Sequence, residues 1–225
     1  MAINHFTLVE KKYLTQDVFE LVYEAENDFE IIPGQFITFL LPKTWFARAY
    51  SVLYKDAKKV HFIIKRLENG RGGSKEICDY EEGIVLRGVW PTGHFIDSKK
   101  ENNKLYIATG TGIVPLYFLV RDLLSKWLRK SLKIILGNRT QKDLYYIEEF
   151  QNLKNQFSNF DFEVFLSREN SPGFQMGYVW DFLIQENIQH FEEFYICGNP
   201  NMVDEVENKL TEAWVSQENI FREKY

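Results

Sequence analysis

"KLYIATGTGIVPLYFLVRDLLSKWLRK", residues 104–130, decides the fold. An apolar run of strand length meets the glycine turn "TGTG", and a longer apolar segment follows with Pro115 near its start. Proline is tolerated in the first turn of a helix and breaks its interior, so a helix should open close to residue 113. The same unit recurs downstream: "LKIILGNR" then "DLYYIEEFQNLKNQF", "FEVFLSRE" then "VWDFLIQEN", "EFYICGN" then "MVDEVENKLTEAWV". Strands alternating with helices predict a doubly wound α/β domain, a parallel sheet with helices on its faces.

Upstream the rhythm differs. "HFTLVEK", "VFELVYEA", "QFITFLL", "AYSVLYK", "KVHFIIKRL" and "GIVLRGVW" are short strand-like runs separated by turn-rich pieces such as "AENDFEIIPG" and "LENGRGGS". Six strands at this spacing predict a small antiparallel β-barrel. The polar stretch "DSKKENNK" (97–104) reads as a linker, which gives two domains, 1–98 and 99–225.

The chain has 225 residues, 45% of them hydrophobic and 16% aromatic, enough for sizeable cores. A net charge of −5 supplies no global field for nucleic acid or an anionic membrane. Cys78 and Cys197 fit neither zinc spacing nor a disulfide framework, and two cysteines cannot hold an iron–sulfur cluster alone, so no metal is expected. The N-terminus "MAINHFTLVEKKYL" lacks a signal layout, and the uncharged run 105–120 is short for a membrane span. The expectation is a cytoplasmic, soluble monomer. His5, His61, His94 and His190 are scattered and read as surface or packing residues.

In a parallel sheet the carboxyl ends of the strands share one edge, and ligands bind outside it. Here those ends carry "TGTG" (109–112), "GNRT" (137–140), "LSRE" (166–169) and "CGNP" (197–200), small, polar or cationic residues suited to a phosphorylated nucleotide. Gly110 and Gly112 would admit a ligand to backbone N–H groups at a helix start. By itself such a pattern also serves merely to join strand to helix. "NGRGGSKEI", with Gly70, Gly72, Gly73 and Ser74 before a short helix, offers a second set of backbone donors. In "RAYS" (48–51), strand alternation puts Arg48 and Tyr50 on one face and Ala49 and Ser51 on the other, unless the strand twists or ends there. The Arg48 fork suits phosphate. Two anion sites imply two phosphorylated ligands, or one long ligand that bridges them.

"RAYS", "PGQF" (33–36), "GGS", "GTGIVP", "SRE" and "CGNPNMV", in this order and spacing, resemble the ferredoxin–NADP reductase family of flavoproteins, above all its bacterial ferredoxin/flavodoxin–NADP reductases. The resemblance covers essentially the whole chain. It implies an N-terminal flavin-binding barrel, a C-terminal domain for NAD(P)H and chemistry in a cleft between them. Arg48 would hold the flavin pyrophosphate with Gly72, Gly73 and Ser74; Tyr50 would pack on the isoalloxazine ring; Ser51 would bond near flavin N5, with Ala49 completing the motif. Thr109, Gly110, Thr111, Gly112 and Pro115 would take the nicotinamide nucleotide's pyrophosphate, and Cys197, Gly198 and Met202 would lie at the nicotinamide. Glu223 and Tyr225 match a Glu-x-Tyr ending whose tyrosine covers the flavin and must be displaced for hydride transfer.

Ser167, Arg168 and Arg139 would meet a 2′-phosphate, which puts NADPH ahead of NADH, although Gln175 and Tyr178 stand where NADPH users commonly carry another cation. FAD stands ahead of FMN, although no long adenine-binding loop is evident. The implied activity is hydride transfer between NAD(P)H and bound flavin, with electrons passing to or from ferredoxin or flavodoxin, steered by Lys65, Arg66, Lys75, Lys99 and Lys100. The alternatives are an NAD(P)H:flavin reductase, and a reductase subunit of a larger oxygenase or dehydrogenase complex.

Overall fold

The computed structural model describes residues 3–126 and 129–225. The chain divides into two compact units: residues up to Asp97 with Tyr117–Leu119, and Ser98–Leu116 with Val120–Tyr225.

Among the described residues the first unit holds seven strands: β1 (Ile3–Tyr13), β2 (Val18–Ala25), β3 (Phe36–Leu40), β4 (Ala47–Ser51), β5 (Tyr54–Asp56), β6 (Lys59–Lys65) and β7 (Val85–Thr92). They form one antiparallel sheet in the order β4-β3-β7-β1-β2-β6-β5. The predicted strand 49–55 serves as two, because Val52 and Leu53 are both fully buried and turn the chain inward between β4 and β5. Those two strands are the opposite edges of the sheet, yet three residue steps from Ser51 to Tyr54 span only about 10 Å. The sheet must therefore curl enough to bring those two strand ends within that distance. Alternation along β1 turns Asn4, Phe6 and Leu8 inward. Phe39 is the hub of the core, with Phe6, Tyr23 and Phe62 at ring-centroid distances of 5.4, 5.0 and 5.3 Å. A helix, α1 (Gly73–Asp79), follows β6.

The second unit alternates β8 (Lys104–Thr109), α2 (Ile113–Ser125), β9 (Leu132–Asn138), α3 (Ile147–Gln156), β10 (Phe160–Leu166), β11 (Gln175–Met176), α4 (Gln185–Ile188), β12 (Glu193–Gly198), α5 (Pro200–Glu212) and β13 (Ile220–Lys224). The strand order is β11-β10-β9-β8-β12-β13, and every neighbouring pair is parallel. β12 is buried along its whole length, as a strand covered on both faces must be. Met202, Val203, Val206 and Leu210 give α5 its single apolar stripe. Tyr106, Tyr195 and Phe221 stand in register on β8, β12 and β13, and their rings stack at 5.2 and 4.5 Å.

Several elements depart from the sequence reading. The predicted helix 113–130 ends at Ser125, and its positions 127 and 128 lie outside the described residues. α3 starts at Ile147, after a separate turn at Gln141–Asp143 capped reciprocally by Thr140 and Asp143. The segment 179–187 splits into a 3₁₀ turn, Val179–Phe182, and α4; the Asn187 amide donates to the Phe182 carbonyl at 2.7 Å, which ends the turn there. Lys104, assigned to a polar linker, is fully buried at the start of β8, where its ammonium meets the buried Glu193 carboxylate at 2.6 Å. No helix among the described residues is long and apolar enough to cross a membrane.

Candidate cofactor-binding sites

In the first unit the strand pattern positions "RAYS" as alternation requires. Arg48 and Tyr50 are half-buried while Ala47 and Ala49 are exposed. β4 ends at Ser51, which is itself buried, so its face no longer follows the simple alternation. Arg48 is oriented from two sides. Its guanidinium lies 4.2 Å from the Phe46 ring centroid, and Nη1 donates to the Ala47 carbonyl at 3.0 Å. Its side chain then crosses Gly73, where an added β-carbon would stand 2.7 Å from Arg48 Nε and 2.8 Å from Cγ. "RAYS" and "RGGS" thus converge on one point.

Gly72 just before α1 has φ +91°, a left-handed conformation that glycine adopts without penalty. The amides of Gly73, Ser74 and Lys75 precede the first intrahelical bond, from Glu76 N–H to the Gly72 carbonyl at 2.8 Å. The Ser74 hydroxyl accepts from Leu67 N–H at 3.2 Å and so ties the glycine loop to the helix start.

The Glu76 carboxylate fastens the 41–46 loop to α1, accepting the N–H groups of Lys43 and Thr44 at 2.8 Å each and the Tyr80 hydroxyl as well. Burial disfavours its charge, but these donors outweigh burial and hold the carboxyl below the ordinary glutamate value. The Tyr50 hydroxyl is buried with no hydrogen-bond partner among the described residues, and burial, with the Cys78 thiol nearby, pushes it above the usual phenol range.

The expected steering cations are largely compensated. Lys65 pairs with Asp17 at 2.9 Å, Arg66 with Asp79 at 2.6 Å and also with Glu68, and Lys75 with Glu68 at 2.9 Å.

In the second unit the strand order reverses between β8 and β12, the place where an open α/β sheet forms its crevice. Three close contacts build that edge. A β-carbon on Gly112 would lie 2.0 Å from the Cys197 carbonyl oxygen, so this glycine lets α2 seat on the end of β12. The sequence reading gave Gly112 a ligand-facing role; its bare side is instead filled by the protein. Gly198 packs on the Thr109 hydroxyl and the Met202 methyl, which would stand 2.3 and 2.7 Å from an added β-carbon. Gly110, at φ +52°, faces open space within 4 Å. Thr111 is half-buried beside it, and Pro115 is buried in the first turn of α2, shaping the helix start.

Cys197 is fully buried, and burial raises its thiol far above the usual value even though the Tyr225 hydroxyl hydrogen-bonds to it. Tyr225 N–H also donates to the Gly198 carbonyl at 3.1 Å, and Glu223 lies in register with Cys197. Further along the same edge, Arg168 N–H bonds the Arg139 carbonyl at 2.9 Å, which sets the two exposed arginines side by side; Ser167 N–H bonds Asn138 in the same way at 3.0 Å. Gln175 and Met176 follow on β11, and Tyr178 stacks on Trp180 at 4.4 Å.

Asn199 escaped the sequence reading. It caps α5 by accepting Met202 N–H at 3.0 Å, and its own N–H reaches the Thr109 hydroxyl at 3.4 Å. Asparagine followed by proline at a strand end is a helix-start signature that could have revealed it. Among the described residues no group of three or more His, Cys, Asp and Glu could hold a metal ion.

Residues 106–208 match the sequence model of the oxidoreductase NAD-binding domain. The chain is 26% identical to the toluate 1,2-dioxygenase electron transfer component of Pseudomonas putida over 88% of its own length and 60% of that protein. It is 29% identical to ferredoxin–NADP reductase B of Sorangium cellulosum over 97% of its own length and 96% of that protein. A ferredoxin NADP+ reductase from Neisseria gonorrhoeae, solved with bound FAD and NADP, superposes with a TM-score of 0.87 at 18% identity, over 100% of this chain and 99% of that one, which is a likeness of fold. The chain spans about three fifths of the first two curated relatives it matches, 60% and 62%.

An antiparallel unit followed by a parallel sheet that carries the oxidoreductase NAD-binding domain gives the chain a two-unit fold of the oxidoreductase class. Over essentially its whole length the chain is similar to ferredoxin–NADP reductases, in sequence to that of Sorangium cellulosum and in fold to that of Neisseria gonorrhoeae.

Proposed function

We propose that this chain is an oxidoreductase that exchanges hydride with NAD(P)H through a bound FAD and passes electrons to or from a one-electron carrier, ferredoxin or flavodoxin. In this reading residues 1–98 are the FAD domain and 99–225 the NAD(P) domain. The observation that carries it is the placement of Arg48 across Gly73, which sets a planar charged fork beside the leading amides of α1, a fit for the flavin's phosphates.

The bound flavin supplies the conversion between two-electron and one-electron chemistry. The chain's residues bind and orient. Arg48, Gly72, Gly73 and Ser74 hold the pyrophosphate. Tyr50 packs against the ring system. Ser51, with Ala49 before it, stands at the ring's reactive edge.

In the second unit Gly110 and Thr111 take the nicotinamide nucleotide's pyrophosphate at the start of α2. Thr109, Gly112, Pro115 and Met202 fix the shape of that turn. Cys197 and Gly198 frame the nicotinamide, with Glu223 and Tyr225 beside them. Cys197 is no nucleophile here, since burial keeps its thiol protonated. Arg139 and Arg168, adjacent and exposed, favour NADPH over NADH.

A second reading, a reductase component serving an oxygenase, is favoured by the internal pairing of Lys65, Arg66 and Lys75, which leaves less basic surface for an acidic carrier.

Anaerobic titration with NADPH, and separately with NADH, while following oxidised-flavin absorption, tests the proposal. Bleaching at lower NADPH than NADH supports it and the arginine assignment. Equal or better bleaching by NADH removes that assignment, and the lack of any flavin band after adding FAD refutes the whole reading.

A further inference from the structure

Asn69–Gly70, in "LENGRGGS", is the only Asn–Gly pair in the chain. Asparagine is a thermolabile residue, and a following glycine lacks the side chain that would shield the next backbone nitrogen from its carboxamide. Both residues are exposed in the loop between β6 and α1, and no described residue hydrogen-bonds the Asn69 side chain. The Gly70 amide reaches the Leu67 carbonyl at 3.4 Å, longer than a good N–H···O bond. An electrophilic carbon and a nucleophilic nitrogen are thus neighbours in the chain, open to water and weakly restrained.

The loop that carries the pair is closed on itself. Leu67 N–H reaches the Ser74 hydroxyl at 3.2 Å, and the Glu68 carboxylate pairs with Lys75 at 2.9 Å and with Arg66. Inside that closure Gly72 holds φ +91°, and Gly73 lets the Arg48 side chain across. A longer main chain between Leu67 and Ser74 can be absorbed only by breaking a closure or by moving those glycines.

We propose that Asn69 is a self-modifying site whose conversion to isoaspartate loosens this loop and so acts as a clock on cofactor retention. The Gly70 backbone nitrogen attacks the Asn69 carboxamide carbon, and the new C–N bond closes a cyclic imide. The amide proton passes through solvent to the departing side-chain nitrogen, which leaves as ammonia. Water then opens the imide at either carbonyl, giving aspartate or isoaspartate, with no change of oxidation state. Isoaspartate routes the main chain through the former side chain and lengthens it by one carbon. The added charge stands in water and is worth little, so the added carbon carries the effect. The modification stands apart from the flavin reading above; its effect on FAD rests on it.

The test follows the full chain through weeks at mildly alkaline pH. The tryptic peptide 67–71 should gain the mass of an amide-to-acid exchange and accept methylation by isoaspartyl methyltransferase, which reads isoaspartate. Asn69→Gln should not convert, because its longer arm closes the ring slowly, and Gly70→Ala should convert at least about tenfold more slowly than wild type. The converted protein, separated by its extra negative charge, should bind FAD about tenfold more weakly than fresh protein, the loss of one hydrogen bond to a charged group. Asn69→Asp, which has the charge and the ordinary main chain, should bind FAD as fresh wild type does.

An unconverted peptide in aged wild type overturns the proposal, and so does conversion of Gly70→Ala at the wild-type rate. Equal FAD affinity in converted and fresh protein refutes the clock, and a loss in Asn69→Asp as large as in the converted protein refutes its backbone route. If fresh wild type binds no FAD, the flavin reading fails, a distinct result, while mass and methylation still decide the modification.

Discussion

Arg48 and Gly73, twenty-five positions apart in sequence, occupy one contact: the arginine side chain fills the space that any β-carbon at 73 would need, at 2.7 Å from Nε. Gly73 sits inside a helical turn, where alanine is conformationally welcome, so Gly73→Ala isolates the steric effect. It should displace the guanidinium and weaken flavin binding by about tenfold or more, with secondary structure intact. Arg48→Lys should do the same by removing the fork. Equilibrium dialysis against FAD measures both; unchanged affinity in either variant would remove Arg48 from the cradle.

Gly110 and Gly112 separate cleanly by experiment. Gly112→Ala drives a methyl into the Cys197 carbonyl and should cost about 3 kcal/mol or more in stability. Gly110→Ala meets open space and carries only the left-handed penalty, about 1–2 kcal/mol. Chemical unfolding of the two variants ranks them, and the reverse order would contradict the packing described for the start of α2.

The buried Lys104–Glu193 pair ties the starts of β8 and β12 together, with Ser98 Oγ bonding the carboxylate at 2.8 Å and Asn102 at 3.2 Å. Lys104→Met strands a buried charge and should destabilise by about 3–5 kcal/mol. Replacing both partners with apolar residues should recover much of that loss. A double variant no more stable than Lys104→Met would show that the pair contributes through something other than its charges.

Glu76 gives a pH dependence with a definite sign. Its folded-state value lies below the ordinary 4.5, so between the two values the unfolded chain binds more protons, and stability rises with pH there. The contribution is full above about 4.5 and lost as pH falls through the folded value. Glu76→Gln should therefore be less stable than wild type at neutral pH, and the gap should narrow on acidification. Urea midpoints across pH 3–7 would reveal it, and a constant gap would rule the charge out.

The parallel sheet was legible because its central strands are uninterrupted apolar runs ended by glycine or polar residues, and the alternation of Arg48 with Tyr50 placed both on one face, which the structure shows half-buried. What escaped notice has local reasons. Val52 and Leu53 look like strand interior, since burial at a corner and burial within a strand draw on the same residue types. β13 was missed because an edge strand needs little apolar pattern: of "IFREK" only Ile220 is fully buried, while Phe221 is held by its ring stack on Tyr195. The split of 179–187 turns on the Asn187 amide, a tertiary contact that periodicity cannot display. The roles of Gly110 and Gly112 looked alike in sequence because a missing side chain does not reveal which neighbour requires it missing.

The two-residue passage from β4 to β5 also bears on how the chain avoids self-association. An open antiparallel sheet presents two ladders of unpaired amides and carbonyls, each able to recruit a strand from another molecule. Here the edges are tethered through Val52 and Leu53, so neither can swing out to template a neighbour without first dragging two fully buried side chains into water. The corner that tethers the two edges thus also restrains them from pairing with another molecule.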